Sequence, residues 1–267
     1  MIPKPDKRNL SDPGAWRPIS LLPCLSKGLE RVLARRLAYQ AIASGILPET
    51  LAGALPKRSA IDIVASLVFD LEDLAFRKKL VATLVTMDAK GAFDAVLRGR
   101  LIKRLREQGW PTYLIRWVDS FMTERMARVR FASTTTEAVE LLCGLPQGSP
   151  ISPILYLLYI SSIYNLAGAD ARYGYADDTA MLFVGKTLKE TSQRAAAAIE
   201  DMETWGRTSA ITFDPRKTEI MHFSKRRRRE EIPDIQHGER TIAVLNSIRW
   251  LGVYLDKTLF FKAHIQH

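Results

Sequence analysis

Two adjacent carboxylates, Asp177 and Asp178, stand between two short apolar segments, Ala171–Tyr175 and Thr179–Val184. Both segments are rich in β-branched, aromatic and aliphatic residues, which predicts a β-hairpin with the two acids at its tip. Neighbouring acids repel each other and lose hydration, so they need a cation to hold them at low cost. Because magnesium prefers hard oxygen ligands, the pair is a candidate metal site for phosphoryl transfer, although a solvated turn explains the same two residues.

A third carboxylate, Asp88, directly follows Leu80–Met87, a run of Val, Leu and Thr that predicts a buried strand. Two-metal phosphoryl transfer requires carboxylates from separate strands, which hold two cations about 3.5–4 Å apart. Asp88 and the Asp177–Asp178 pair can supply such a set if their strands lie side by side. Spacing along the chain does not show whether they do.

A tight loop, Leu145–Pro150, precedes the almost wholly apolar segment Ser152–Leu166, which is typical of a buried helix. Proline and glycine fix the turn, and Gly148 lets backbone N–H groups face a ligand. From this loop Gln147 can reach a base or sugar edge, and the start of the helix attracts phosphate. An ordinary proline-containing turn explains the loop equally well when it is taken alone.

The remaining pattern predicts an α+β fold, because helices and strands are mixed without regular βαβ alternation. Helices are expected around Leu29–Leu37, from Ser59, over Leu97–Leu105, over Thr112–Phe121 and from Thr187 to Trp205, where Thr187 and Glu190 have the spacing of a capping box. Strands are expected at Arg128–Phe131, Val139–Leu142, Thr218–Phe223 and Ser247–Leu255.

The composition restricts the class of protein. The chain has 267 residues, 47% of them hydrophobic, with a net charge of +10, so it can bury a core and favours an acidic partner, either nucleic acid or an anionic membrane surface. It lacks an apolar run of transmembrane length and an N-terminal secretory segment. Its two cysteines exclude a disulfide framework and a cysteine-based zinc site. We expect a soluble, intracellular protein.

Five consecutive cations occupy Lys225–Arg229. Three interpretations stay open: a solvated charged loop, a contact with phosphate backbone, or a nuclear localisation signal. A nuclear localisation signal would place the protein in the nucleus, and a nucleoprotein particle is the other expected location.

Several motifs together resemble the successive palm motifs of reverse transcriptases, in the same order. They are Asp88 with Phe93-Asp94, Gly144–Pro150, Tyr175-Ala176-Asp177-Asp178, Lys217 and Trp250–Val253. The N-terminal residues Pro3–Lys7 and Trp16–Leu22, with Lys27 and Glu30, are similar to the fingers entry of the non-LTR (LINE-type) retrotransposon branch. The resemblance covers essentially the whole chain.

The resemblance implies an RNA-directed DNA polymerase in which Asp88, Asp177 and Asp178 bind two Mg²⁺ ions, with Mn²⁺ as a possible substitute. Asp88 and Asp177 would be the main ligands and Asp178 a supporting one. The ions would activate the primer 3′-hydroxyl and stabilise the charge of the transition state and of the leaving pyrophosphate. Lys217 matches the lysine that would protonate pyrophosphate, although a solvated lysine fits the same position.

Other residues acquire roles through the same resemblance. Phe93 aligns with the aromatic gate that rejects a ribose 2′-hydroxyl. The alternative is that its ring only packs in the hydrophobic core. Gln147 and Gly148 would contact the nucleotide and template. The fingers cations would be Arg17, Lys57 and Arg58, together with Lys4. Trp250, Leu251 and Gly252 would form the primer-grip hairpin, with core packing as the alternative for Trp250.

The implied architecture is a right-hand-like α+β fold with an antiparallel palm sheet. Residues 1–80 would form the fingers-like part, 81–224 the palm, and 225–267 a basic loop, the primer-grip-like hairpin and the start of a largely missing thumb. The implied partners are an RNA template, a DNA primer, dNTPs and further domains of a polyprotein, namely an endonuclease, the thumb and an RNase H domain, without a membrane.

One departure and two alternatives accompany this interpretation. The segment 52–60 resembles the second fingers motif but lacks its usual glutamine and aromatic residue.

An RNA-dependent RNA polymerase shares the palm chemistry, but Ala176 before the acid pair and Phe93 at the gate position argue against it. A decayed copy that only binds nucleic acid is the non-enzymatic alternative, and the intact acids and Gln147 argue against it.

Overall fold

The computed structural model of this chain describes residues 1–4, 9, 11–131, 133–225 and 235–266. The chain forms two compact units, each assembled from two segments. The first unit contains Met1–Ile46 and Gly91–Tyr159, and the second contains Leu47–Lys90 and Ile160–His267.

The described residues combine helices with many short strands. The α-helices are α1 Cys24–Ala43, α2 Ala60–Asp70, α3 Arg98–Glu107, α4 Thr112–Met122, α5 Ser152–Ile160, α6 Leu188–Ser209 and α7 Lys262–Gln266. Short 3₁₀ segments cover Pro13–Ala15 and Ser161–Asn165, and a π-helical segment, Leu71–Phe76, continues α2. The strands are β1 Ile2–Pro3, β2 Trp16–Arg17, β3 Leu51–Ala52, β4 Val81–Lys90, β5 Met126–Ala127, β6 Arg130–Phe131, β7 Thr134–Thr135, β8 Val139–Glu140, β9 Ala171–Tyr175, β10 Asp178–Gly185, β11 Thr212–Phe213, β12 Glu219–Phe223, β13 Ile235–His237, β14 Arg240–Ile242, β15 Val244–Leu245, β16 Ser247–Trp250 and β17 Val253–Asp256.

The second unit is built on one sheet with the strand order β15-β12-β4-β10-β9-β3, and β11 pairs with the end of β4. The inner pairs are antiparallel, whereas the outer pairs β12–β15 and β3–β9 are parallel. The central strand β4 is buried along most of its length, as expected for a strand covered on both faces.

Different elements cover the two faces of this sheet. On one face, Leu84 of β4 belongs to a core cluster with Leu67 of α2 and Trp250 of β16. On the other face α6 packs against β4, and the buried hydroxyls of Thr83 and Thr191 lie 2.7 Å apart. Asp88 shares the face of Leu84, because side chains two or four residues apart in a strand point the same way.

The first unit contains α1, α3, α4, the apolar helix α5 and three two-stranded ribbons, β1–β2, β5–β8 and β6–β7. Helices α3 and α4 pack against each other as a helical hairpin. Helix α3 is followed by Gly109, which adopts a φ of +76° and so ends this helix in a left-handed backbone that glycine tolerates.

Most predicted elements are confirmed, with differences in detail. Of the predicted strand Arg128–Phe131, only Arg130–Phe131 is a strand. Ser59 caps α2 in a complete capping box. At the start of α6 only half of the predicted capping box forms, because the Thr187 hydroxyl accepts the N–H of Glu190. The Glu190 carboxylate accepts the N–H of Lys186 instead of that of Thr187. The predicted strand Ser247–Leu255 is interrupted by a turn and forms the hairpin β16–β17.

The basic run at 225–229 lies outside the described residues except for Lys225, whose ammonium donates to Glu72 at 2.9 Å. Among the described helices, none combines the length and the apolar character needed to cross a membrane.

Candidate functional site

The acid pair lies at the tip of the β9–β10 hairpin, as predicted. Tyr175 pairs with Asp178, so Ala176 and Asp177 form a two-residue turn. Strand β10 also pairs with β4, and in that register Asp178 lies directly opposite Asp88. The strands of the two acidic motifs are therefore neighbours, and Asp88 and Asp178 project from the same face of the sheet.

A contact from outside the hairpin positions the acid turn. Ala176 has a left-handed backbone with a φ of +56°, and its N–H donates to the carbonyl of Ala52 at 3.0 Å. Gly53, with a φ of +89°, lies so close that a Cβ there would be 2.5 Å from the backbone nitrogen of Ala176. A side chain at Gly53 would push the acid turn out of place, a constraint that sequence analysis missed.

The electrostatics of the acid cluster favour a cation. Burial, followed by the charges of Asp177 and Asp88, raises the pKa of Asp178 to about 6. The energy that this shift reflects is the cost of holding several carboxylates together in a partly desolvated place. Positive charge at this point relieves the cost.

Lys217 supplies one positive charge here. Its Nζ donates to Asp88 Oδ2 at 2.6 Å, and this hydrogen bond raises the pKa of the lysine. The turn that carries Lys217 is attached to β4, because the N–H of Asp214 donates to the carbonyl of Asp88 and the N–H of Lys217 donates to the carbonyl of Asp214, both at 3.0 Å. The lysine is thus anchored beside Asp88 by backbone as well as by charge.

A cavity of about 350 Å³ opens at this place. Its carboxylates include Asp88 and Asp178, and its cations are Arg216, Lys217 and Arg249. Sequence analysis missed Arg216, Arg249 and a third lining carboxylate, Glu219, whose pKa is raised by burial. Glu219 begins β12, two residues after Lys217, and its register partner Thr86 lies two residues before Asp88 in β4. Only this strand pairing brings Glu219 to the cavity, so the sequence alone could not find it.

The predicted primer-grip hairpin borders the same cavity through Trp250 and Leu251. Trp250 is buried and lies edge-on to Tyr173 with ring centroids 6.3 Å apart. The core packing that we considered for Trp250 is therefore present. Leu251 and Gly252 form the turn with φ values of +48° and +86°, a tight reversal that glycine accommodates more easily than leucine.

The predicted nucleotide-contact residues lie in the first unit. The ring of Phe93 stacks on Tyr156 with centroids 5.1 Å apart, and the Phe93 carbonyl accepts the N–H of Leu145 at 2.7 Å. The amide of Gln147 donates to both carboxylate oxygens of Asp94, at 3.1 and 3.3 Å. These contacts join the Phe93-Asp94 motif to the Leu145–Pro150 loop.

The same loop is also fixed to the N-terminal motif. The N–H of Ser20 donates to the carbonyl of Gln147 at 2.7 Å. Gly148 has a φ of +114°, and a Cβ there would lie 2.9 Å from the carbonyl oxygen of Ser20. The buried carboxylate of Glu30 accepts a short hydrogen bond from the Ser149 hydroxyl. Three motifs that are separate in the sequence thus form one hydrogen-bonded group.

The predicted fingers cations are divided between the two units. Arg17 is exposed in β2 of the first unit, and Lys4 donates to the carbonyl of Gly14 at 2.9 Å. Lys57 and Arg58 belong to the second unit, where Arg58 donates to the carbonyls of Pro48 and Leu51 at 2.5 and 2.8 Å. Arg58 therefore braces the segment that leads into β3.

In the described part of the chain, no three carboxylate, imidazole or thiolate groups form a ready-made metal site. Asp88, Asp177 and Asp178 nevertheless offer the hard oxygen donors that Mg²⁺ or Mn²⁺ prefers, and burial together with the charges of Asp177 and Asp88 raises the pKa of Asp178. The chemistry of these donors therefore suits a divalent cation.

Solved structures define the class of fold. Telomerase from Candida tropicalis in complex with a TWJ fragment of telomeric RNA superposes with a TM-score of 0.60 at 14% identity, covering 88% of this chain and 37% of that one. Apo telomerase from the same organism gives a TM-score of 0.58 at 12% identity, covering 87% and 40%. At these identities the likeness shows a polymerase-like fold and no more.

Sequence comparison gives the family. The family described as reverse transcriptase (RNA-dependent DNA polymerase) matches residues 2–255, so this chain belongs to it. A relative named "Probable RNA-directed DNA polymerase from transposon X-element", from Drosophila melanogaster, is 29% identical over 273 residues and covers 99% of this chain. The RNA-directed DNA polymerase from mobile element jockey of the same organism is 26% identical over 263 residues and covers 96%. This chain spans 29% and 28% of those two proteins.

Proposed function

We propose that this chain is the RNA-directed DNA polymerase segment of a non-LTR retrotransposon polyprotein, which extends a primer 3′-hydroxyl with dNTPs. The observation that carries the proposal is the register of β4 and β10, which sets Asp88 opposite Asp178 next to the turn that holds Asp177. Carboxylates from separate strands meeting at one point are what two-metal phosphoryl transfer requires. Family membership and the named relatives support the same reaction.

We assign the three acids to two bound divalent cations, Mg²⁺ with Mn²⁺ as a substitute. Asp88 and Asp177 are the main ligands in this proposal, and Asp178 supports them. Such cations, when bound, activate the primer hydroxyl and neutralise the charge that develops on the transferred phosphoryl group. Lys217, whose ammonium already lies in the cavity, supplies a proton and a positive charge to the leaving pyrophosphate.

The remaining roles follow the family resemblance. Phe93 is the gate against a ribose 2′-hydroxyl, and its stacking on Tyr156 gives the ring the rigidity that a gate needs. Gln147 and Gly148 contact nucleotide and template, with Gln147 oriented by Asp94. Arg17, Lys57 and Arg58 serve the triphosphate or template backbone, and the Trp250–Gly252 turn holds the primer end.

In this proposal strands β4, β9, β10 and β12 form the palm sheet within residues 81–224. Residues 1–80 keep the fingers assignment, and residues 225–267 keep the assignment of basic loop, primer-grip hairpin and start of the thumb. The net charge of +10 suits an RNA template and a DNA primer as partners. Because the matched relatives are about three times longer, we infer further domains in the same polyprotein, among them an endonuclease, a thumb and an RNase H domain. A nuclear or nucleoprotein location accords with this assignment.

The direct test is primer extension on poly(rA)/oligo(dT) with Mg²⁺ or Mn²⁺, using the chain beside Asp177→Ala. We expect metal-dependent dTTP incorporation that Asp177→Ala reduces at least about a hundredfold, with primer–template binding retained. The control is Asp73→Ala, which removes a partly exposed aspartate that pairs with Arg77. Incorporation by Asp177→Ala at the rate of the parent chain would contradict the metal role of that acid.

Two other activities are separated by the same experiment. A preference for UTP over dTTP would indicate an RNA-dependent RNA polymerase and would remove the assignment of Phe93 as a gate. Binding of primer–template without incorporation, by a chain that is folded, would indicate the nucleic-acid-binding function that the basic composition also suits.

A further inference from the structure

The ion pair between Lys217 and Asp88 has a consequence for metal binding. The ammonium lies 2.6 Å from Asp88 Oδ2, a carboxylate oxygen that the proposed function assigns to a divalent cation. Mg²⁺ binds carboxylate oxygen at about 2.0–2.1 Å, so an ion at this oxygen would lie within a few ångströms of the lysine nitrogen. A divalent cation and an ammonium at that separation repel each other strongly.

We propose that Lys217 is an internal competitor of the metal at Asp88: it occupies the carboxylate in the metal-free chain and is displaced when a divalent cation binds. This inference rests on the proposed function, because it requires Asp88 to be a metal ligand. Binding of the metal and release of the lysine are then one coupled step. The released ammonium becomes available to an anionic ligand in the cavity only after the metal has arrived.

The surroundings of Lys217 are consistent with such an exchange. The backbone of the 214–217 turn is attached to β4, which keeps the lysine beside Asp88. Its side chain, however, is 61% exposed, so the ammonium can move aside without leaving water. A partly exposed ion pair of this kind is weak, so a divalent cation held by three carboxylates outcompetes it.

The neighbouring cation Arg216 provides a matched control. It lines the same cavity, but its side chain is 83% exposed and its Nε lies 4.0 Å from Asp214 rather than beside Asp88. Arg216→Met therefore removes the same charge from the cavity as Lys217→Met without freeing the Asp88 carboxylate. A difference between the two variants isolates the competition from the general effect of charge.

The first measurement is Mn²⁺ binding, followed by water-proton relaxation or by the EPR signal of free Mn²⁺, without nucleotide or primer. We expect Lys217→Met to lower the Kd for Mn²⁺ about threefold to tenfold, and Arg216→Met to change it less than twofold. Equal effects of the two variants, or weaker binding by Lys217→Met, would overturn the proposal. If the parent chain binds no Mn²⁺, the inference falls together with the proposed metal site.

The second measurement uses the parent chain and needs no variant to fold. An N-hydroxysuccinimide ester acylates accessible lysines, and peptide mass spectrometry measures the extent at Lys217. We expect Mg²⁺ to raise Lys217 acylation at least about twofold because its hydrogen bond to Asp88 is lost, and to leave Lys225, paired with Glu72, unchanged.

Asp88→Asn completes the acylation experiment. In this variant the ion pair is absent from the start, so Lys217 should be acylated readily with or without Mg²⁺. Acylation of Lys217 in the parent chain that is unaffected by Mg²⁺, under conditions where Mn²⁺ or Mg²⁺ binding has been measured, would contradict displacement. In that case the proposed metal site would stand and only the exchange would be wrong.

Discussion

Asp88 and Asp178 are directly opposite residues of the antiparallel strands β4 and β10, and their side chains project from the same face of the sheet. Asp177 lies in the turn just before Asp178, so three carboxylates concentrate negative charge at this point. The only cation that contacts Asp88 in the described residues is Lys217. Folding therefore maintains an unfavourable cluster of charge at one point, which is typical of sites whose residues are selected for chemistry rather than for stability.

The first prediction concerns the energetic cost of this cluster. Asp178→Asn keeps the shape of the side chain and removes one partly buried charge that the other two acids repel. We expect the metal-free variant to be more stable than the parent chain by about 1 kcal/mol, measured by urea denaturation at neutral pH with a chelator present. Metal-dependent primer extension should fall in the same variant, so stability and activity should move in opposite directions.

Asp73→Asn is the control for this prediction, because Asp73 is a partly exposed acid with a favourable partner, Arg77. Removing its charge should leave the free energy of unfolding unchanged or slightly lower. A loss of stability in Asp178→Asn would show that the Asp178 carboxylate is held by favourable contacts, contrary to the repulsion inferred here.

The second prediction concerns the support of the acid turn by Gly53. In Gly53→Ala the new Cβ would lie 2.5 Å from the backbone nitrogen of Ala176, in addition to the strain of a left-handed alanine. Gly168→Ala has the same backbone strain, with a φ of +94°, but no atom within 4 Å of its Cβ. We expect Gly168→Ala to cost about 1 kcal/mol of unfolding free energy and Gly53→Ala about 2 kcal/mol more.

Activity gives an independent measurement of the same contact. Because the clash is with the turn that carries Asp177, Gly53→Ala should reduce primer extension by at least about tenfold under conditions where the variant is folded. Gly168→Ala should extend at the rate of the parent chain. Equal stability and activity of the two variants would show that the acid turn does not depend on Gly53.

The contacts of Gly53 also show the limit of prediction from the sequence. The β9–β10 hairpin and β4 could be predicted because apolar and β-branched runs report local strand structure directly. The pairing of β4 with β10 could not, because it joins segments that are distant in the chain. The two-residue strand β3 carries no periodic pattern at all, so its parallel contact with β9 was invisible.

The same distinction applies to individual residues of the site. Asp88 and Asp177 were found because they lie at the ends of predicted strands, and Lys217 was found through motif order. The structure places Lys217 against Asp88. Arg249 and Glu219 were missed, because a charged residue in a short strand is usually solvated and only the fold shows that both line a cavity. Ser247–Leu255 was predicted as one strand because its apolar residues continue through the turn at Leu251 and Gly252.

The last prediction concerns His237, which is buried in β13. Its Nδ1 lies 2.7 Å from the hydroxyl of Thr218, and its Nε2 lies 3.1 Å from Glu203 Oε1, close enough for an ion pair but without the geometry of a hydrogen bond. Burial lowers the pKa of His237 below its usual value of 6.5. The charges of Glu203 and Asp214 raise this pKa by less, and the charge of Lys90 lowers it slightly further.

This direction fixes the sign of a pH dependence. Below about pH 6.5 the unfolded chain binds a proton at this histidine, whereas the folded chain does so only at a lower pH, so acid favours unfolding. As the pH falls from 6.5 towards the pKa of the folded state, His237 should reduce the unfolding free energy by at most about 1.4 kcal/mol per pH unit. Below the folded pKa this histidine should contribute no further change.

The measurement is urea denaturation of the parent chain and of His237→Asn across this pH range. Asparagine retains a polar group near the Thr218 hydroxyl but does not titrate, so the variant should lose less stability on acidification than the parent chain. His264→Asn, which replaces an exposed histidine, is measured beside them for comparison. Identical slopes for the parent chain and His237→Asn would mean that Glu203 offsets the burial of His237 and keeps its pKa near that of the unfolded chain.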